Sequence, residues 1–512
     1  MASLRAPQPA HLRTWLLAIL SVTHRLVAAT APQQSSLVLS AEQEIKTHLA
    51  PLLSDGAALS FPPDPSWDAL TARVSAPRIA PQFFAVVEVA TEADVEQTVK
   101  FANKYCHPFL AVSGSHGFPT GMGKMKRGIQ INLRRLNSIE VYNDGKSATA
   151  GGGILQYEAT RDLFAEGKMA ATGLCACVSV AGPLLGGGHS MLQARHGFSA
   201  DNLVSARVTL ADGTSVTASS EENAELFWGL KGAGHNLGIM TSFDVKVYDA
   251  DELWAMDVLS FTQDKLEEVL TVFNKLEYEI QNPGLLVAGG AIAWNPELDK
   301  EHPVINIQLF SAGTATSIDT YIAALKAIGP AFTLTVPDVP YGEIYTIGGL
   351  GIDGPLCRKN VNLLALANSV SRWDPAGMRA GFTEFTKLTR NPTFNASIWL
   401  LESYGRRGVQ QIPVESAAVP AEERERHILH SPILWWDGAD AADRKEVEAW
   451  AERYQKAVAS PNEEPHFYVN YARGGEAVPL VYGTDGSRLE RLRRLKREWD
   501  PDNRFGFYNP IR

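Results

Sequence analysis

The sequence is poor in cysteine. Its 512 residues hold four, Cys106, Cys175, Cys177 and Cys357, too few for a disulfide scaffold in a chain of this length. Positive charge is not in excess either. The 47 Lys plus Arg face 57 Asp plus Glu, a formal charge of −10, so the broad basic face of a nucleic-acid binder is not expected. No apolar run reaches the roughly 20 residues that a helix needs to cross a bilayer, so no membrane span is expected. The chain also lacks a P-loop, the G-x-S-x-G nucleophile elbow, H-E-x-x-H and the kinase motifs. No G-x-G-x-x-G follows the first strand to open a helix, and there is no internal repeat or long low-complexity tract. What is there is a globular composition, 45% hydrophobic and 20% charged, in a chain long enough for two or three domains.

At the N-terminus Arg5, His11 and Arg13 precede a short apolar stretch, Trp15–Val22, and Ala28, Ala29 and Ala31 follow it. This is the charged, apolar and small-residue succession of a secretory signal. Residues 1–31 are therefore expected to be a signal peptide, and the protein to be secreted or held in the secretory pathway. Asn395-Ala396-Ser397 forms one acceptor triplet for N-glycosylation at Asn395, whereas Asn391 cannot serve because Pro392 follows it.

Residues 32–77 are mixed and Pro-rich and read as a leader. Phe83–Val89 then reads as a strand, and Thr91 with Asp94 three residues on reads as a helix start. Val95, Val99 and Ala102 recur at helical spacing behind it. Phe109–Ser113 is a second strand running into Ser113-Gly114-Ser115-His116-Gly117, a turn placed where ligand loops usually sit. Val204–Leu210 and Thr214–Ala218 flank Asp212-Gly213 as a hairpin. Near residue 250 the Gly clusters thin out. Longer strands and amphipathic helices, such as Leu266–Ile280 and Ala441–Ala457, suggest a second domain reaching to about residue 460. The last fifty residues carry Tyr468-Val469-Asn470-Tyr471, a basic helix around Arg488–Lys496, and Trp499-Asp500-Pro501-Asp502-Asn503-Arg504-Phe505.

Five Gly-rich segments lie between residues 114 and 238, each at the end of a predicted strand or helix. Glycine lets backbone N–H groups approach an anion, so the set points to a large ligand with a pyrophosphate. A metal is not expected. Cys175, Cys177 and His189 offer three donors at poor spacing where zinc needs four. The pair His427 and His430 lies among strand-forming neighbours. Cys175 and Cys177, one residue apart, cannot easily bond to each other.

Residues 80–250 and the C-terminal segment together resemble the FAD-linked oxidases of the vanillyl-alcohol oxidase/p-cresol methylhydroxylase type, and within them the fungal subset of the berberine-bridge-enzyme-like branch. The resemblance rests on the His-Gly turn at Ser113 to Gly117, on Gly-x-Cys-x-x-Val at Gly173 to Val178, and on Gly182 with the triple Gly that follows. It rests also on Tyr-x-Asn-Tyr at Tyr468 to Tyr471 and on the Trp-Asp-Pro-x-Asn-x-Phe ending. It implies an α+β flavoprotein of two domains. The FAD domain would be split between residues 78–250 and 461–512, with an antiparallel-sheet substrate domain at 251–460.

The resemblance also implies FAD held by two covalent bonds, His116 to the flavin 8α-methyl and Cys175 to flavin C6. The loop spacing selects Cys175 over Cys177, although Ser179 stands where the family usually has Gly. Cofactor contacts are implied at Ser113, Gly114, Ser115, Gly117, Gly152, Gly173, Val178, Gly182, Gly186, Gly187, Gly188, Gly238, Ile239 and Asn509. Tyr471 matches the family's catalytic tyrosine and, deprotonated, would take the substrate hydroxyl proton. Tyr468, His189, Glu402, His430 and Trp435 are pocket candidates. Some plant relatives carry a carboxylate base on a late strand of the substrate domain, but Ile433, Leu434, Trp435 and Trp436 offer none. The alternative to these roles is that Tyr468 and Tyr471 are two core aromatics on one strand, one inward and one sideways.

The implied activity is hydride removal from an alcohol, amine or activated C–H of a small organic substrate, with dioxygen reoxidising the flavin and fungal secondary metabolism as the setting. An oligosaccharide oxidase, an oxidative cyclase and a flavin binder without turnover are the alternatives. With Cys175 given to the flavin, at most one bridge can form among Cys106, Cys177 and Cys357.

Overall fold

A computed structural model describes residues 41–74, 79–279, 285–313, 318–438, 441–460 and 463–512. The expected signal peptide lies outside the described residues. Two units divide the chain, ending and beginning at Leu53 and Ser54. In the first, Ile45–Leu49 and Ala50–Leu52 form short helical turns. All that follows concerns Ser54–Arg512.

Among the described residues three sheets make an α+β fold. The first contains β1 (Ala58–Ser60), β2 (Phe83–Glu88), β3 (Phe109–Val112) and β4 (Gly128–Asn132), in the order β1-β2-β4-β3. β2 and β3 both pair in parallel with β4. The helix that joins β2 to β3, Glu92–Lys104, starts where the sequence predicts. Thr91 Oγ1 accepts from the Asp94 amide, and the Asp94 carboxylate accepts from the Thr91 amide. Val95, Val99 and Ala102 bury its apolar face.

The second sheet is antiparallel. It contains β5 (Ile139–Val141), β6 (Ser147–Gly151), β7 (Lys168–Ala170), β8 (Leu203–Thr209), β9 (Ser215–Ser219) and β10 (Ile239–Asp249), with the hairpin at Asp212-Gly213 joining β8 to β9.

The third sheet is also antiparallel and comes from residues 254–436. Its strands are β11 (Trp254–Phe261), β12 (Leu285–Ala293), β13 (Val304–Ala312), β14 (Phe332–Val339), β15 (Asn362–Ala365), β16 (Ser369–Val370), β17 (Ile398–Tyr404) and β18 (Ile428–Trp436). Strand alternation gives this sheet two different faces. Ile305, Ile307, Leu309, Trp399 and Leu401 pack into a core with the helices Leu266–Glu279, Pro375–Thr389 and Ala441–Val458. The residues between them, Asn306, Gln308, Phe310, Leu400 and Glu402, point the other way and line a cavity.

Residues 468–471 form a turn rather than a strand, with the Tyr471 amide donating to the Tyr468 carbonyl. The turn is what allows tyrosines three apart to face one space. After the helix Gly486–Trp499 the chain is pinned by buried Asp500, which pairs with Lys496 at 2.6 Å and accepts from the Arg504 and Phe505 amides. Among the described residues no helix is long and apolar enough to cross a membrane.

Candidate active site

A cavity of about 670 Å³ runs between the Gly-rich turns of the first two sheets and the inner face of the third. That size lies within the roughly 300–1,000 Å³ of small-molecule and cofactor sites. Ser113, Gly114, Ser115, His116 and Gly117 line it, with Gly152, Gly173, Cys175, Val178, Gly182, Gly238 and Ile239. The turn at 113–117 is tightly built. Ser113 Oγ donates to the Gly152 carbonyl, and a Cβ on Gly114 would come within 2.5 Å of the Cys177 carbonyl. Ser115 adopts φ +58°, a left-handed conformation uncommon for a residue with a side chain.

Several expected contacts lie elsewhere. Gly186, Gly187 and Gly188 do not line the cavity, and their amides are spent on Pro183, Leu184 and the Tyr468 hydroxyl. Asn509 also stays out of it. Its amide donates to the carbonyls of Val469 and Ala472, so it braces the turn that carries the two tyrosines. His430 is the cross-strand partner of Leu401 and so shares its helix-side face, where Nδ1 meets the Tyr454 hydroxyl at 3.0 Å. Burial holds its pKa down to about 4. Trp435 packs against Val74, Val361 and Leu363, beyond the cavity. Asn395 is exposed, while Ser397 of its triplet is buried and accepts from the Trp435 amide.

His116 and Cys175 stand side by side on the cavity wall, His116 Nε2 being 3.9 Å from Cys175 Sγ. Nε2–H donates to the Leu356 carbonyl at 2.9 Å. Burial, followed by the Lys359 and Arg73 charges, holds the imidazole down to about 4, so it is neutral at ordinary pH. Burial pushes the Cys175 thiol up to about 11. Cys177 is bonded to Cys357, 180 residues away. The donor atoms of His116, Cys175 and Cys177 lie within 4.8 Å of one another, but the Cys177 sulfur is committed to that bond and offers no thiolate. Cys106 is exposed and free.

Opposite this wall, Glu402 on β17 accepts from the Tyr404 hydroxyl at 2.8 Å and from the Tyr471 hydroxyl at 3.3 Å, both on Oε1. Its buried Oε2 has no hydrogen-bond partner among the described residues. Burial raises the Glu402 carboxyl above its ordinary range. Burial, then the neighbouring Glu402 charge, pushes the Tyr471 phenol well above 10. The expectation of a standing phenolate at Tyr471 therefore gives way to a phenol bonded to a carboxylate. That carboxylate lies on β17 of the third sheet, whereas 433–436 lie on β18.

Behind the tyrosines His189 lines the cavity, stacked on Tyr404 with ring centroids 4.5 Å apart. It bonds Glu423 through Nε2 and Gln193 through Nδ1, both at 2.7 Å, and Glu423 also accepts from His466. Burial alone would raise the Glu423 carboxyl, but the two imidazole bonds outweigh it and hold it down to about 2. Tyr468 donates to none of these. Its hydroxyl accepts from the amides of Gly188 and His189.

Sequence reasoning missed Arg73, Tyr404 and Glu423, which sit in no motif. Arg73 matters most. It is a buried guanidinium facing the cavity, with Nη2 donating to the Gly117 carbonyl at 3.1 Å and with Nε and Nη1 unpartnered among the described residues. Burial lowers it only to about 10, so it stays charged. Two buried donors on a cation facing a cavity suit an anion such as the diphosphate of FAD. The neighbouring His116 and Cys175 suit its ring, so the residues present fit FAD.

Residues 84–219 match the family of FAD binding domains, and residues 467–512 match the family described as berberine and berberine like. The FAD-linked oxidoreductase anuG of Penicillium roqueforti is 33% identical over 473 residues, 91% of this chain and 92% of that one. The FAD-linked oxidoreductase chry5 of Gibberella zeae is 33% identical over 504 residues, 95% and 98% of the two chains. Among solved structures, the carbohydrate oxidase from Microdochium nivale matches with a TM-score of 0.77 at 20% identity, covering 91% of this chain and 99% of that one. Glucooligosaccharide oxidase from Acremonium strictum, described with a 6-S-cysteinyl, 8α-N1-histidyl FAD, matches with a TM-score of 0.74 at 19% identity over the same shares. At such identities the structural likeness establishes the fold alone. The protein is a FAD-linked oxidoreductase. It belongs to the berberine-bridge-enzyme-like family.

Proposed function

We propose that the enzyme is an oxidase that removes a hydride from an alcohol, amine or activated C–H of a small organic molecule, with Tyr471 and Glu402 handling the proton. Held through His116 and Cys175, FAD would supply the hydride acceptor, with dioxygen as the final oxidant. The observation that carries this reading is the Tyr471–Glu402 hydrogen bond beside a carboxylate oxygen, Oε2, that no described residue satisfies. As the C–H bond breaks, the substrate proton passes to Tyr471 Oη while the Tyr471 proton moves to Glu402 Oε1. A carboxyl raised by burial is a better-matched base near neutral pH than one at its ordinary value. His189 and Glu423 hold Tyr404 from behind, and Tyr404 fixes Glu402.

The inner face of the third sheet supports a compact, largely apolar substrate. Val258, Ala291, Leu400 and Ile433 line it, and Asn306, Gln308 and Ser431 are the polar side chains among its strands besides Glu402 and Tyr404. An oligosaccharide would leave many hydroxyls against that aliphatic wall, so this second reading is less well supported. A pair poised for proton transfer argues against a binder without turnover. The relatives anuG and chry5 come from fungi, the setting that the sequence resemblance implies. The Cys177–Cys357 bond supports an oxidising compartment, hence the secretory route. The sheet boundaries support a split FAD-binding part, 78–250 with 461–512, around a substrate part at 251–460.

Anaerobic bleaching of the bound flavin tests the reading, with a panel of aromatic and aliphatic alcohols and amines set beside oligosaccharides. Bleaching by small apolar alcohols or amines is expected. Bleaching by oligosaccharides alone would replace this substrate class.

A further inference from the structure

The Cys177–Cys357 bond lies at the place where the flavin would be attached. Cys177 Sγ is 3.6 Å from Cys175 Sγ, and Cys357 Sγ is 3.9 Å from it. Three sulfurs therefore lie together beside the cavity, and Cys175 alone of them lines it and carries a free thiol. Were Cys177 reduced, two thiols of the same loop would compete for one ring carbon. The bond also reaches the other attachment residue. Cys357 follows Leu356, and the Leu356 carbonyl takes Nε2–H of His116. A carbonyl can only accept, so this bond sets the tautomer of the neutral ring and leaves the lone pair on Nδ1. The Ala176 amide, between the two loop cysteines, donates to the Leu350 carbonyl at 3.1 Å, so the segment ending at Cys357 is docked on the Cys175 loop at both ends.

We infer that the Cys177–Cys357 disulfide selects and aligns the attachment of FAD: it withholds Cys177 so that Cys175 alone reaches the ring, and it holds Leu356 so that its carbonyl orients His116. The inference rests on the proposal of covalent FAD at His116 and Cys175. Each attachment replaces one hydrogen on the ring system and one on the side chain by a new bond. The two hydrogens, with their electron pair, end on dioxygen as hydrogen peroxide. The disulfide is unchanged by either step and acts as a positioning element, not as a reactant.

Peptide mass mapping of the purified, denatured enzyme tests this without reference to activity. Cys175 and Cys177 share the tryptic peptide Met169–Arg195, and fragmentation within it tells them apart. In Cys357→Ser, flavin is expected to shift in part from Cys175 to Cys177, with a loss of flavin on His116. In the double variant Cys177→Ser with Cys357→Ser, the thiol link is expected back on Cys175 alone while the loss at His116 persists. A bond with a merely structural role would lower both attachments together and never move flavin to Cys177. Wild-type proportions at Cys175 and His116 in Cys357→Ser would overturn the inference. So would free thiols at Cys177 and Cys357 in an unreduced map of the wild-type enzyme, a result that needs no variant to fold. A wild-type enzyme with the disulfide intact but no covalent flavin would instead overturn the attachment reading beneath it.

Discussion

Tyr471 donates to Glu402 Oε1 across 3.3 Å, joining a C-terminal turn to a strand 69 residues earlier in the chain. The pair makes the base composite, so loss of either half should cripple reduction without emptying the site. Tyr471→Phe and Glu402→Gln are each expected to slow anaerobic flavin reduction by about 10²- to 10⁴-fold. Flavin content, read from the denatured protein, should be unchanged. Reduction at the wild-type rate in either variant would remove that residue from the mechanism.

The same pair sets a pH dependence. Glu402 must be ionised to receive a proton, and burial raises its pKa. The reduction rate should therefore fall as pH drops through that raised value, at a higher pH than an ordinary carboxylate of about 4.3 would give. Stopped-flow reduction across the acid range measures the limb, and in Glu402→Gln the limb should vanish along with most of the rate.

The two attachment residues should be separable by colour. Acid-precipitated wild-type protein is expected to stay yellow. His116→Ala and Cys175→Ser should each keep one link and a yellow pellet, with different absorption maxima, and the double variant should release all its FAD into the supernatant.

Arg73 is a buried cation at the cavity wall, with two donors that no described residue satisfies. In a background lacking both covalent links, Arg73→Met should weaken FAD by about 1.5–3 kcal/mol, roughly 10- to 150-fold, the range for a hydrogen bond to a charged group. Riboflavin, which lacks the diphosphate, should bind equally well to both. Titration by flavin fluorescence separates the outcomes, and an equal loss for the two ligands would make Arg73 a packing residue.

His430 should matter for acid stability. Its native pKa, about 4, lies below the 6.5 of the free side chain, so the unfolded chain takes up a proton that the native state refuses. The stability this neutral ring contributes is full above pH 6.5 and is lost as pH falls toward 4. His430→Gln, which can still bond Tyr454, should flatten the fall in Tm over that window. A variant as acid-sensitive as the wild type would contradict the assignment.

Much of the site was legible in short stretches of chain. The His-Gly turn, the Cys175 loop and the tyrosine pair all rest on residues within a few positions of one another. Glu402 is legible as a pocket residue, but its link to Tyr471 is not, because nothing local connects β17 to a turn after residue 467. Strand pairing was enough to separate it from His430. Leu401, beside Glu402, faces the helices, and register puts His430 opposite Leu401. Arg73 is illegible for a different reason, since a lone arginine in a Pro-rich leader carries no spacing to read.

Local order alone thus established the capped helix after Thr91, the β8–β9 hairpin and the loops that carry His116 and Cys175. Each depends on side chains reaching backbone groups two to four residues away. Folding in three dimensions decided the rest. It paired Cys177 with Cys357 across 180 residues, turned Glu402 inward and His430 outward, and buried Arg73 facing the cavity with two donors unpartnered. These outcomes follow from sheet register and chain closure, which fix distances between segments that no spacing within either segment records.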